Sequence, residues 1–209
     1  MPLHLLPHPL GQHLVTRLRD KDTRPADFRS LTYQLTTLLV LEATQHLPLT
    51  AHAIQTPLEP MQGSALAQGL AVVPILRAGL GMLDPITSLF PDVCVGYIGL
   101  ERNHETAVAS VYYQKLPAAG EMAERLTLVV DPMLATGGSA IQAITRIREA
   151  GAQDIRLVCV VTAPEGVQAV EESHPAVPIY AAALDRELND RKYILPGLGD
   201  FGDRLFGTV

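Results

Sequence analysis

The run from Leu126 to Ser139, LTLVVDPMLATGGS, constrains the fold more than any other part of the chain. Its first five residues are mostly apolar and rich in β-branched side chains, as expected for a parallel strand buried between two layers of helices. The strand ends at Asp131, and from Ala140 isoleucines recur at helical spacing until Gly151. The pattern therefore predicts the strand, tight turn and helix of an α/β domain.

The turn between this strand and this helix is suited to hold a phosphate. Gly137 and Gly138 fall in the first helical turn, where backbone N–H groups lack partners and the helix dipole favours an anion. Thr136 and Ser139 add hydroxyl donors. The Gly-Lys-Ser/Thr of a P-loop and the Gly-x-Gly-x-x-Gly of dinucleotide folds are both missing from this turn, so another kind of phosphate cradle is predicted. The alternative is a strand–helix junction whose small residues bind nothing.

Two further segments carry groups suited to a ligand: one has an arginine suited to an anion, and the other has glycines that expose backbone groups suited to a planar base. Leu70 to Met82, LAVVPILRAGLGM, is a second buried-type strand with Arg77 at its end, where open α/β sheets place ligands. An arginine there can hold a diphosphate oxygen bidentately, although a single arginine is more often a solvated surface residue. Tyr193 to Thr208, YILPGLGDFGDRLFGT, reads as too glycine-rich for a regular helix or an interior strand. Its backbone groups are therefore expected to face a ligand.

The rest of the chain alternates between helical and extended patterns. Helical patterns cover Ala26 to His46 and Ala78 to Phe90. The predicted strands are Leu70 to Ile75, Val93 to Gly99, Leu126 to Val130, Ile155 to Val161 and Pro178 to Leu184. Strands spaced by helices imply a mostly parallel sheet, and residues 1–209 fit one domain. The stretch from Leu100 to Leu116 breaks the rhythm and predicts a β-hairpin arm, either a lid over the site or a dimer contact.

Composition excludes several functional classes. The net charge of −6 argues against general affinity for nucleic acid. Unbroken apolar stretches fall short of the ~20 residues needed to cross a bilayer, and the amino terminus lacks the pattern of a signal peptide. Cys94 and Cys159 have no metal-ligand spacing around them and are expected to be reduced core residues. These features predict a cytoplasmic protein without a membrane span and without a metal site built from protein ligands.

The strand-end acid followed by Thr-Gly-Gly-Ser resembles the signature of type I phosphoribosyltransferases. Most members have two adjacent acids there, whereas this chain has Asp131 followed by Pro132, so that DPMLATGGS looks like the form found in uracil phosphoribosyltransferases. The C-terminal glycine-rich segment, the Arg77 strand and the opening HPLGQHLVTRLRDKDTRPADFRS also match, so the resemblance spans essentially the whole chain. It implies the type I phosphoribosyltransferase fold: a mostly parallel central sheet flanked by helices, with a β-hairpin arm and a C-terminal base-binding hood.

The resemblance also implies a set of site residues. Asp131 would hold the ribose of 5-phospho-α-D-ribose 1-diphosphate (PRPP), and the turn would hold its 5-phosphate. The PRPP-binding residues would be Arg77, Arg102, Asp131, Pro132, Met133, Leu134, Ala135, Thr136, Gly137, Gly138, Ser139 and Asp200. The uracil-binding residues would be Ile194, Gly199, Asp200 and Phe201, with Arg77 and Asp200 as the catalytic pair. Phe201 and Glu101 depart from the alanine and the tyrosine expected in the family. The change at Phe201 should be tolerated if only its backbone reads the base, whereas a bulky ring at the base could alter selectivity among 5-substituted uracils.

The resemblance predicts that the protein converts uracil and PRPP to UMP and diphosphate in pyrimidine salvage. Mg²⁺ is expected as a cofactor bound mainly through PRPP. A homodimer or larger homo-oligomer is implied, and GTP is a possible allosteric activator. Two alternatives stay open: transfer to another base, because the fold is shared by other transferases, or an RNA-binding regulator that senses nucleotides.

Overall fold

The computed structural model describes residues 3–102 and 109–208, apart from the side chains of Arg102 and Ala109. The α-helices in these residues are α1 (Pro9–Arg19), α2 (Pro25–Thr44), α3 (Leu83–Leu89), α4 (Ala119–Ala123), α5 (Gly138–Glu149), α6 (Pro164–Ser173) and α7 (Phe201–Phe206). A 3₁₀ helix covers Ala78–Met82. The strands are β1 (Leu3–Leu5), β2 (Leu49–Gln55), β3 (Pro60–Leu66), β4 (Gly69–Leu76), β5 (Cys94–Val95), β6 (Tyr97–Arg102), β7 (Ala109–Lys115), β8 (Arg125–Val130), β9 (Met133–Leu134), β10 (Asp154–Thr162), β11 (Ile179–Leu184), β12 (Glu187–Leu188) and β13 (Ile194–Leu195).

A mostly parallel sheet forms the centre of the molecule. Its strand order is β1-β11-β10-β8-β4-β6-β7 across the described residues, with β5 beside β4 and β9 beside β10. All neighbouring pairs in that order are parallel except the hairpin of β6 and β7. The carboxyl ends of β4, β8, β10 and β11 therefore lie along one edge, which is where such sheets bind ligands. The predicted fold class is confirmed.

Helices cover both faces of this sheet, and the sheet separates the hydrophobic core into two clusters. Adjacent residues of β4 show the division, since Val72 packs into one cluster and Val73 into the other. The first cluster buries the apolar faces of α1, α2, α3 and α7, and the second buries those of α4, α5 and α6. Strands buried on both faces explain why their sequences read as nearly continuous apolar runs.

Most predicted elements match the structure closely. The strands predicted around Leu70, Leu126, Ile155 and Pro178 are β4, β8, β10 and β11, and the first long helix is α2. The strand predicted from Val93 to Gly99 is instead two short strands, β5 and β6. The helix predicted from Ala78 to Phe90 begins as a 3₁₀ helix, where Gly79 lies so close to the Val130 carbonyl that a side chain would collide with it.

The expectation that Tyr193 to Thr208 holds no regular helix is wrong. Residues Phe201–Phe206 form α7, whose first turn is capped by the Asp200 side chain accepting a hydrogen bond from the Asp203 amide at 2.9 Å. The helix buries Phe201 and Leu205 in the core. Capping and burial outweigh the cost of a glycine inside one short helix.

Two antiparallel hairpins extend from the edges of this fold. The predicted arm is β6 with β7, and its tip, residues 103–108, lies outside the described residues. The hairpin of β2 with β3 was not predicted, and every residue of β2 is exposed.

Both cysteines are free; Cys159 is buried as predicted, and Cys94 is partly buried. In the described ranges, every helix is too short or too polar to span a bilayer.

Candidate functional site

The site lies at the carboxyl edge of the sheet, between β4 and β8. These strands are paired in register, with Pro74 opposite Val130, and β4 continues to Leu76, two residues beyond the level where β8 ends. Arg77 follows β4 directly, and Asp131 follows β8 directly. The two polar residues predicted from separate motifs therefore leave neighbouring strands at the same edge of the sheet.

The predicted phosphate cradle is a cavity of about 160 Å³ at the start of α5. Every predicted turn residue from Met133 to Ser139 lines it, together with Asp131 and Ala140. Gly137 precedes the helix with a left-handed φ of 84°, a conformation that glycine adopts without the steric cost of a side chain. The start of α5 thus presents backbone N–H groups and hydroxyls around an open space, as an anion site requires.

The two glycines of the turn have different roles. A Cβ at Gly137 would lie 3.0 Å from the Gly166 carbonyl oxygen and 3.2 Å from the Ala169 Cβ, so α6 packs against that position. A Cβ at Gly138 would meet no other atom closer than the Thr136 Oγ1, at 3.9 Å. Gly137 therefore allows α6 to pack against the turn, whereas Gly138 leaves the space inside the cradle unfilled.

Asp131 is the acid at the rim of the cradle. Its carboxylate lies 3.5 Å from the Met133 amide, which is a weak contact, and burial raises the pKa of this side chain to about 7. Ionisation is therefore disfavoured until hydrogen-bond donors approach. The hydroxyls of a ribose would supply such donors. Burial, together with the charge of Asp131, raises the pKa of the Cys159 thiol behind it, so this cysteine is unsuited to be a nucleophile.

A second cavity of about 230 Å³ adjoins the cradle. Its lining residues are Ala78, Met133, Ala135, Lys192, Tyr193, Ile194, Gly199, Asp200, Phe201 and Gly202. Met133 and Ala135 line the cradle as well, so the two cavities share a wall. All four residues predicted to bind uracil surround this space. We refer to it as the base cavity.

Asp200 and Phe201 contribute to the base cavity in different ways. The exposed carboxylate of Asp200 caps α7 and stands at the mouth of the cavity. The Phe201 side chain turns into the core, is 1% exposed and packs edge-on against Phe28, with ring centroids 5.0 Å apart. Of the two expectations for Phe201, this orientation favours the first, in which the backbone and not the ring faces the base.

The two predicted arginines differ in what the structure describes. The Arg77 side chain is 62% exposed and extends over α7, with Nη2 3.7 Å from Asp203 Oδ1 and the guanidinium 5.9 Å from the Phe206 ring centroid. An exposed pair of this length is weak, so a diphosphate could draw Arg77 away. Arg102 ends β6 opposite Ala109, and its side chain lies outside the described part of the chain.

Sequence reasoning missed several residues around the base cavity. The additional lining residues are Ala78, Lys192, Tyr193 and Gly202. All four lie within two positions of a predicted residue in the sequence. Lys192 has a left-handed φ of 64° in the turn before β13. The spacing Gly197-x-Gly199-x-x-Gly202 fits the dinucleotide fingerprint literally, but it follows a strand of an antiparallel pair and not the strand of a βαβ unit.

A larger cavity of about 440 Å³ lies apart from this edge, between α2 and α7. Arg29, Tyr33, Leu80 and Phe206 are among its lining residues. It has neither a strand-end acid nor a glycine turn. We therefore assign the chemistry to the two smaller cavities, where an anion cradle and exposed backbone groups meet.

Comparison with known proteins gives matches over nearly the whole chain. The model of the uracil phosphoribosyltransferase family matches residues 5–208. A uracil phosphoribosyltransferase of Roseiflexus castenholzii is 53% identical over 201 residues, which is 96% of each chain. A solved structure of a protein from Aquifex aeolicus superposes with a TM-score of 0.93 at 36% identity, covering 98% of each chain.

A more distant structure shows the fold class alone. A hypoxanthine-guanine phosphoribosyltransferase from Bacillus anthracis is 9% identical, covers 77% of this chain and 80% of its own, and has a TM-score of 0.53. The match over nearly the whole chain, together with a strand-end acid, a glycine turn and a base cavity at one sheet edge, leads to a single assignment. This chain belongs to the uracil phosphoribosyltransferase family.

Proposed function

We propose that the protein transfers the 5-phosphoribosyl group of PRPP to uracil, forming UMP and diphosphate. The observation that carries the proposal is the wall shared by the phosphate cradle and the base cavity at Met133 and Ala135. A ligand with a phosphate at one end and a planar base at the other would occupy both cavities at once. The family's relatives named as uracil phosphoribosyltransferases support uracil as the base.

The residues of the site suit the chemistry of this transfer. In the reaction, the bond between N1 of uracil and C1 of the ribose forms while the bond from C1 to the diphosphate oxygen breaks. Positive charge develops on the ribose ring and negative charge on the leaving group, so the protein mainly positions and stabilises charge. Asp131 would accept hydrogen bonds from the ribose hydroxyls, and Arg77 would bind the diphosphate. Asp200, at the mouth of the base cavity, would orient uracil or accept its N1 proton.

Uracil recognition would depend on backbone groups. Gly199 is exposed with a left-handed φ of 81°, and nothing but the Arg204 Cδ lies within 4 Å of the space where its side chain would be. Ile194 lines the same cavity. Amide and carbonyl groups of such residues can pair with the donor and acceptor edge of a pyrimidine, which needs no charged side chain.

We propose that Mg²⁺ binds mainly through PRPP. No group of three or more His, Cys, Asp and Glu side chains among the described residues could hold a metal ion. Mg²⁺ commonly keeps several waters and binds through substrate phosphates with one or two carboxylates, of which Asp131 is the nearest to the cradle. When bound, the ion would neutralise charge on the diphosphate.

A homo-oligomer is part of the proposal. The hairpin of β2 and β3 exposes Leu49, Leu58 and Leu66, with Leu58 at 93%. A two-stranded hairpin is marginally stable in water unless a further strand or a helix packs against it, and a second copy of the chain would supply such a partner. Activation by GTP and a cytoplasmic location stay predictions. Sedimentation velocity with and without GTP would test both the oligomer and the effect of the nucleotide on it.

The decisive experiment measures product formation from PRPP and labelled uracil with Mg²⁺, beside cytosine, orotate, hypoxanthine and adenine. Turnover with uracil alone is the expected result, because the base cavity is small and its reading groups are backbone atoms. Turnover with another base and not with uracil would show that this other base is the acceptor. Binding of PRPP and of RNA, without turnover on any base, would favour the regulator instead.

A further inference from the structure

We infer that the ion pair of the partly buried Arg19 with the buried Asp185 positions the base-reading segment, and so sets the affinity for uracil. The inference rests on the proposed function. Arg19 is the last residue of α1, and Asp185 follows β11 at the same sheet edge as the site. The guanidinium binds the carboxylate through two nitrogens, and the Asp185 side chain is 3% exposed. Neither residue lines the base cavity, so both act through the backbone.

The pair holds Gly197 at both of its backbone polar groups. The Gly197 amide donates to Asp185 Oδ2 at 2.9 Å, and Arg19 Nη1 donates to the Gly197 carbonyl at 2.7 Å. Gly197 has a left-handed φ of 60° and packs directly against the Ile194 carbonyl oxygen. A charged clamp on both peptide groups that flank the Gly197 Cα therefore sets the distance between Ile194 and the residues that follow Gly197.

Neighbouring residues of the segment are held in the same way. The Arg186 amide donates to the Leu195 carbonyl at 2.9 Å, and Arg204 Nη1 donates to the Leu198 carbonyl at 2.7 Å. Arg204 also binds the Leu18 and Asp20 carbonyls, so it ties the segment to the end of α1. With residues 195, 197 and 198 anchored from behind, Gly199 and Ile194 are left to face the base cavity.

This arrangement explains how a glycine-rich segment can discriminate between bases. Backbone groups recognise a base edge only if they are held within a fraction of an ångström, yet glycine gives the chain its greatest freedom. Charge-assisted and bidentate hydrogen bonds are the strongest available restraint. The ion pair of Arg19 with Asp185 therefore supplies the order that the sequence of the segment lacks.

A purely structural role is the competing explanation, and a second arginine of the chain serves as its control. Arg156 is 14% exposed, lies near the start of β10 at the opposite sheet edge, binds the Ala43 carbonyl and pairs with Asp154 at 3.6 Å. Arg156→Lys removes a partly buried arginine that binds a backbone carbonyl and a half-exposed carboxylate, far from the base cavity. Its effect measures what loss of stability alone does to the kinetics.

The experiment compares steady-state kinetics of wild type, Arg19→Lys and Arg156→Lys, with the midpoint of thermal unfolding measured for each. Lysine keeps the charge of Arg19 but cannot hold Asp185 and Gly197 together. We expect KM for uracil to rise about tenfold in Arg19→Lys, since a ~1 Å displacement can cost about 100-fold. KM for PRPP should stay at the wild-type value, and Arg156→Lys should change neither constant. The double variant Arg19→Gln, Asp185→Asn leaves no charge unpaired and should show the same shift if Arg19→Lys does not fold.

Each outcome decides between the explanations. Equal rises of KM for uracil and for PRPP, or an Arg19→Lys variant with the kinetics of Arg156→Lys, would overturn the inference while leaving the proposed function intact. A wild-type protein that does not convert uracil would overturn the proposed function, and the inference with it.

Discussion

Replacing Gly138 by valine should abolish the phosphate cradle while leaving the fold unchanged. A Cβ at this position enters open space, with the nearest atom, Thr136 Oγ1, 3.9 Å away. The added methyl groups would occupy the cavity of about 160 Å³ where we place the 5-phosphate. Losing one or two hydrogen bonds to a charged group costs about 1.5–6 kcal/mol. The dissociation constant for PRPP should therefore rise about tenfold to 10⁴-fold, at about 1.4 kcal/mol per factor of ten.

Gly137→Ala is the matched control, because it should destabilise the fold, whereas Gly138→Val should fill the cavity and leave the fold unchanged. The left-handed φ of 84° costs about 1–2 kcal/mol for a residue with a side chain, and the Cβ also lies 3.0 Å from the Gly166 carbonyl oxygen. At about 2–4 °C per kcal/mol for a chain of this size, the left-handed φ alone should lower the midpoint of unfolding by about 2–8 °C.

Calorimetric titration with PRPP and thermal unfolding of both variants test this contrast. Gly138→Val should unfold at the wild-type temperature and bind PRPP weakly, whereas Gly137→Ala should unfold early. A Gly138→Val variant that binds PRPP as tightly as wild type would refute the location of the cradle. An unchanged unfolding midpoint for Gly137→Ala would refute the close packing of α6 against the turn.

Three further predictions concern Asp131 and Phe201. Asp131→Ala should weaken binding of PRPP far more than binding of uracil in equilibrium titrations, because we propose that the carboxylate accepts hydrogen bonds from the ribose hydroxyls; equal losses would contradict the assignment. Burial raises the pKa of Asp131 from 3.8 to about 7, so the folded protein keeps this proton where the unfolded chain has lost it, and stability falls as pH rises through this range. Asp131→Asn should therefore unfold at the wild-type temperature near about pH 4 and at a higher temperature near about pH 8, and a constant difference would count against the shift. Phe201→Leu should lower the unfolding midpoint by loosening the contact with Phe28, yet keep the wild-type ratio of kcat/KM for uracil over 5-fluorouracil; an altered ratio would show that the ring reaches the base.

The sequence by itself determined the local chemistry of the site. An apolar run that stops at Asp131, followed by two glycines and a helical period, encodes a strand, a turn and a helix within a short stretch of chain. The same logic located Arg77 at the end of β4 and predicted that the C-terminal glycines leave backbone groups free to face a ligand. These conclusions could be reached from sequence because neighbouring residues determine strand ends, helix starts and turns.

Only the tertiary structure decided how these pieces act together. It separated the roles of Gly137 and Gly138, which depend on where α6 packs, and turned the Phe201 ring toward Phe28 in the core. It also joined Arg19 to Asp185, residues 166 positions apart, behind the base-reading segment. Contacts over such separations depend on how helices and strands pack in three dimensions, and local sequence patterns carry no information about that packing.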